Sequence, residues 1–191
     1  MSNVYTSYFI AIPLPEEFRS QFKKLTDEIS TKYPDTPTAD PTTPHITIYY
    51  LLKEATPDLS EIERTIEENI TVLAGTRLSA GGLNFFGPTD YPKVLLLDVS
   101  YPNELISLNK TFTGLFKQYS AEDNDRKYQP HLTIAFANTP KSQVAFQTNR
   151  EDIEAIFQQI SWTFPITKVI LYGVNSKIEP ELQIPIKEFN F

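Results

Sequence analysis

Two histidines are all this chain has, and they stand in matching frames: Pro44-His45-Ile46-Thr47-Ile48 and Pro130-His131-Leu132-Thr133-Ile134. Thr fills 20 and Pro 15 of the 191 positions; chance would set Pro before and Thr two after both histidines on the order of once in 10,000. In a β-strand, side chains alternate faces, so each segment offers an imidazole and a hydroxyl on one face and an aliphatic pair on the other. A single such segment reads as an ordinary strand start. The pair reads as half an acid/base site supplied twice. Two imidazoles that titrate near neutrality can divide an in-line displacement at phosphorus, one taking a proton from the nucleophile and the other giving one to the leaving oxygen. Two threonine hydroxyls suit donation to the non-bridging oxygens, where charge accumulates.

Other chemistries fit the residues less well. A zinc site needs three or four closely spaced ligands, and no such spacing occurs, so neither metal nor cofactor is expected. No Gly-x-Ser-x-Gly elbow is present, and a Ser/His/Asp triad would leave the paired threonines unexplained. Gly81-Gly82, the one glycine pair, suits a bulge rather than a phosphate-cradling loop. The absence of cysteine rules out disulfides and thiolate metal sites.

The elements that must carry these residues form a repeat. Tyr8 to Ile12 reads as a buried strand ended by Pro13 and Pro15, followed by a helix with Phe18, Phe22, Leu25 and Ile29 on one stripe. A loop with four prolines between 34 and 44 delivers the first His-x-Thr strand, about His45 to Leu52. Thr56-Pro57 suits the start of a second helix, with Leu59, Ile62, Ile66, Ile70 and Leu73 inward. Strands are expected over Leu78 to Phe86 and Val94 to Leu97, then a third helix with Leu105, Leu108, Phe112, Leu115 and Tyr119 in register. A polar loop leads into the second His-x-Thr strand. Asn149 suits the cap of a fourth helix bearing Ile153, Ile156, Phe157 and Ile160, and strands over Val169 to Val174 and Leu182 to Phe189 close the chain. The histidines lie 86 residues apart and the helix-opening prolines Pro15 and Pro102 lie 87 apart. A self-similar period of that length implies two pseudo-symmetric lobes in one domain spanning 1–191, neither able to bury its sheet alone.

Composition narrows the partners. A net charge of -7 argues against a protein that grips long duplex nucleic acid. No apolar run approaches the roughly 20 residues of a membrane span, and the N-terminus lacks a basic region followed by an apolar segment, so the expected setting is cytoplasmic and away from the membrane. A monomer is expected.

The duplicated Pro-His-[Ile/Leu]-Thr-Ile segments resemble the paired His-x-Thr motifs of the 2H phosphoesterase superfamily, especially its bacterial RNA 2',3'-cyclic phosphodiesterases, the 2'-5' RNA ligase family. Phe9 to Pro15 is similar to the family's opening strand and turn, Gly82 to Leu97 to its mid-chain hairpin, and Arg126-Lys127-Tyr128-Gln129-Pro130 to its basic-aromatic lead into the second motif. The resemblance implies an α+β, duplicated fold in which two antiparallel sheets face a central cleft with helices outside. It implies metal-free hydrolysis of a 2',3'-cyclic phosphate or 2'-5' linkage on a nucleotide, cyclic nucleotide or short RNA end. His45 and His131 would be acid and base, in an order left open, and Thr47 and Thr133 would hold the phosphate. This chain departs from the family where many members place Arg shortly after each motif: here stand Tyr49 and Tyr50, and Phe136. Tyr49, Tyr50 and Phe136 are candidates to stack on a base, Tyr128 is a further candidate substrate-binding residue, and Arg126 is a candidate to contact phosphate. The alternative is a nucleotide- or RNA-end-binding module that keeps the pocket with little or no catalysis.

Overall fold

The structure, a computed structural model, describes residues 5–52, 58–88, 90–119, 127–175 and 182–191. Its first strand, β1 (Ser7–Pro13), is buried along its whole length, as its apolar sequence requires of a central strand. Pro15 turns the chain into α1 (Glu16–Lys32), which buries Phe22, Leu25 and Ile29. The proline-rich loop then delivers β2 (His45–Leu52). The Thr56-Pro57 pair expected to open the next helix lies outside the described residues; α2 (Leu59–Asn69) is capped by Asp58, whose carboxylate accepts from the amides of Ser60 and Glu61.

β3 (Arg77–Phe86) and β4 (Val94–Ser100) form the mid-chain hairpin, and α3 (Asn103–Leu115) follows Pro102. The inward stripe of α3 continues to Phe116, one turn past Phe112, while Leu115 is 52% exposed: counted from Phe112, the period of 3.6 selects position 116 over position 115. β5 (His131–Phe136) carries the second motif. Two helices follow it instead of one: α4 (Pro140–Thr148), opened by a Thr139/Ser142 capping box with Pro140 in its first turn, and α5 (Arg150–Phe157). Asn149 gives no side-chain cap to α5; its Nδ2 donates back to the Ala145 carbonyl and so closes α4. Ile160 lies beyond α5. β6 (Ser161–Pro165), β7 (Lys168–Asn175) and β8 (Leu182–Asn190) complete the chain.

The described strands form one antiparallel sheet in the order β6-β3-β4-β5-β2-β1-β7-β8, curled into a half-barrel with the helices packed outside. The expected duplication is legible in that order. Strands β2, β1, β7 and β8 make one four-stranded half and β5, β4, β3 and β6 the other, and the halves meet edge to edge through the single pair Ile46–Leu132. Past that bridge the proline-rich loop intervenes. Thr38 bridges Ala135, and the Ala39 amide donates to the Ile134 carbonyl.

The helices are exchanged between halves. Phe18 of α1, which follows β1, packs on Trp162 and Phe164 of β6 in the second half, and Trp162 Nε1 donates to Gln21 at 3.0 Å. In return, α3 lies on β2, where Asn109 Nδ2 donates to the Ile48 carbonyl at 2.8 Å. Each half thus covers the apolar sheet face of the other, and burying both faces at about 25 cal/mol per Å² holds the two motif strands in register.

Candidate active site

Both motif strands begin with their histidine. In each, the imidazole and threonine stand half-exposed on one sheet face, while Ile46 and Ile48, or Leu132 and Ile134, sink fully into the helix-side core. With Ile46 opposite Leu132 in antiparallel register, His45 lies across from Thr133 and Thr47 across from His131. The four side chains therefore form a square about the pseudo-twofold axis, histidine diagonal to histidine.

Each strand also carries a β-bulge three residues past its histidine. In β2 the pairing with β1 shifts at Ile48, and in β5 the pairing with β4 shifts at Ile134. A bulge places two successive residues on one face and reverses the alternation beyond it. Tyr49 is consequently buried against Phe112 and Phe116 on the helix side, and Tyr50 reaches the histidine face. Uninterrupted alternation would have kept Tyr49 beside Thr47; the bulge turns its ring onto Phe112 and Phe116 while Tyr49 still borders the cavity described below. The same reversal turns Phe136 out of the core, half-exposed, although it lines neither cavity described below.

The imidazoles are oriented alike. His45 Nδ1 lies 2.7 Å from the Thr43 carbonyl and His131 Nδ1 lies 2.9 Å from the Gln129 carbonyl, in each case two residues back. A carbonyl only accepts, so both Nδ1 atoms carry hydrogen and both Nε2 atoms are left to exchange protons. Burial lowers the His45 pKa below that of a free imidazole, and nearby positive charge on His131 lowers it further; the Thr43 hydrogen bond opposes both. Burial lowers His131 as well, against the Gln129 bond. Neither threonine hydroxyl is engaged by another side chain among the described residues.

The surroundings of the two rings differ. His45 is stacked on Phe9 at 4.6 Å and tilted on Tyr172 at 5.7 Å, within a separate buried cluster on this face that includes Ile170 and Val174. Burial there pushes the Tyr172 phenol up to about 12. Tyr50 lies parallel to Phe9 at 6.2 Å and meets the Ser7 hydroxyl at 2.9 Å. His131 instead meets the ring of Phe86 edge-on at 4.6 Å and opens into a cavity of about 420 Å³ whose lining includes Thr47, Tyr49, Tyr50, Phe86, Lys127 and Tyr128. Phe9, Tyr172 and Phe86 are not separable from core by sequence, because an aromatic residue in an apolar strand gives the same signal on either face.

Of the basic-aromatic lead, Arg126 lies outside the described residues. Among the described residues, Lys127 is the lysine or arginine that lines the cavity. Tyr128 donates its hydroxyl to the Thr47 carbonyl at 3.0 Å, with burial pushing its phenol well above the usual range. It therefore ties the approach to the second motif onto the first motif strand, and its ring is a wall. No three His, Asp or Glu side chains cluster as a metal site among the described residues.

A curled antiparallel half-barrel with helices outside matches the LigT-like 2H phosphoesterase fold. Residues 14–176 match the family model described as the 2'-5' RNA ligase superfamily, and the chain belongs to that superfamily. Among solved structures it resembles TT0787 of Thermus thermophilus, with a TM-score of 0.74 at 15% identity over 96% of this chain and 97% of that one. It resembles E. coli LigT complexed with 3'-AMP, with a TM-score of 0.71 at 16% identity over 98% and 99%. The MHV ns2 PDE domain matches with a TM-score of 0.52 at 18% identity over 95% and 99%. Curated protein sequences give no match. Among the described residues, no helix is long and apolar enough to cross a membrane.

Proposed function

We propose that this chain is a metal-independent phosphodiesterase that hydrolyses a 2',3'-cyclic phosphate on an RNA end or nucleotide. The observation that carries the reading is the square of His45, Thr133, Thr47 and His131 with both Nδ1 atoms tied to backbone carbonyls. One Nε2 takes a proton from water as its oxygen bonds to phosphorus. The other Nε2–H gives a proton to the ribose oxygen as the opposite P–O bond breaks. Thr47 and Thr133 donate to the non-bridging oxygens, whose charge grows in the transition state. The pKa directions support the base role, since a depressed imidazole is neutral at physiological pH. Membership of the superfamily supports the phosphoester class, and E. coli LigT, which this fold resembles, is a nucleotide-binding protein in its 3'-AMP complex.

His45→Ala and His131→Ala should each lower turnover of a 2',3'-cyclic nucleotide by about 10³-fold or more with the fold intact by circular dichroism. Wild-type turnover in both variants would discard the site. The competing reading, a nucleotide-binding module without useful catalysis, draws on the same lowered pKa values, because two neutral imidazoles lack a resting acid. Calorimetric binding of a cyclic nucleotide that stays intact from acid to alkaline pH would select it.

A further inference from the structure

The cleft continues past His131. The segment Lys127-Tyr128-Gln129 borders the 420 Å³ cavity on one side and a second concavity of about 640 Å³ on the other. Both volumes lie within the roughly 300–1,000 Å³ typical of small-ligand sites. The second space exists because β3 bulges at Gly81-Gly82, between the pairs Ala80–Val99 and Leu83–Leu97, so that two residues without side chains stand against Asp98. Gly82 has φ 75°, a conformation that glycine adopts freely, and a side chain on Gly81 would collide with the Ile160 carbonyl. Asp98 is in turn the register partner of His131. A glycine floor, a carboxylate and the candidate catalytic imidazole thus follow one another across β3, β4 and β5.

The lining chemistry is specific. Ser79, Ser100 and Ser161 wall the concavity, and the Asp98 carboxylate is held by Asn84 Nδ2 at 2.9 and 3.2 Å with further lone pairs unspent. Such a surface receives hydrogen-bond donors, as found on a ribose or a base edge, and disfavours phosphate. Lys127 is exposed, borders both spaces and forms no ion pair among the described residues. A cation between two nucleoside-sized spaces suits the phosphate that joins two nucleosides.

We propose that the 640 Å³ concavity is a second nucleoside subsite, so that the substrate is an oligonucleotide end of at least two nucleotides. Its internucleotide phosphate lies at Lys127 and the donor groups of the next nucleoside at Asp98. This rests on the reading that the His/Thr square cleaves a 2',3'-cyclic phosphate. The test compares kcat/KM for adenosine 2',3'-cyclic phosphate with that for the dinucleotide ApA ending in the same cyclic phosphate, in wild type, Lys127→Ala and Asp98→Ala. The dinucleotide should be preferred about tenfold or more in wild type, the scale of one charge-assisted contact, and each variant should bring the ratio near one. Equal efficiency on both substrates, or variants that lower both alike, would overturn the subsite and leave the activity standing. If wild type cleaves neither, the activity falls, and the ratio is read instead from calorimetric Kd values for the two corresponding 3'-phosphates. A tenfold preference lost in the variants would still support the subsite, and equal Kd values would overturn it.

Discussion

His45 and His131 are held by the same device and face different surroundings. Both begin their strand, both donate Nδ1–H to the carbonyl two residues back, and both precede a bulge at the same offset. Yet His45 is seated in an aromatic wall of Phe9 and Tyr172, while His131 looks into an open cavity shared with Phe86, Lys127 and Thr47. The backbone device is common to both halves, whereas the side chains around it differ, as suits a ligand that is not itself symmetric.

Removing the aromatic wall breaks that contrast most severely. Phe9 is 2% exposed and contacts both His45 and Tyr172, so Phe9→Ala should cost about 3–5 kcal/mol in urea unfolding. Phe86→Ala, at a half-exposed ring in the cavity, should cost far less stability and raise KM. Similar stability losses for the two would mean that the halves are packed alike. Thr47→Val and Thr133→Val should each lower kcat by about 10², with KM little changed, if each hydroxyl serves the transition state. An effect at only one threonine would confine the phosphate to one half of the square.

The smallest effect is on stability against pH. Both imidazoles have folded pKa values below the unfolded value of about 6.5, so folding favours their neutral forms. Their contribution is fully present above pH 6.5 and is lost as pH falls toward the lowered values. His45→Gln should flatten that part of the profile more than His131→Gln, because His45 is the ring enclosed by Phe9 and Tyr172. The opposite order would reverse the assignment of the drier half.

Much of this is legible in the chain itself. The His-x-Thr frames, their faces and the repeat follow from residue type and the two-residue period of a strand. What lies hidden depends on tertiary choice. The bulges at Ile48 and Ile134 each insert one residue just past a motif threonine, where Tyr49 or Ala135 follows and gives no polar alternation to mark the break; the one in β2 decides that Tyr50 stands on the histidine face. The exchange of α1 and α3 between halves involves Phe18, Trp162 and Asn109, none of which signals its partner locally. Charge type alone does not single out Lys127; its place in the cavity belongs to the segment that Tyr128 anchors. The helix Pro140–Thr148 escapes a reading by periodicity although Thr139-Pro140 and Ser142 form a capping box, because the apolar spacing beyond it is weak.

That both rings serve one phosphate is tested most directly by following the two histidines in ¹⁵N-resolved NMR while titrating a 3'-mononucleotide. Both Nε2 resonances should move together and saturate at one ligand concentration, with the Nδ1 protons retained. Movement of one histidine alone, or saturation at two separate concentrations, would mean that the two motif strands do not share a site.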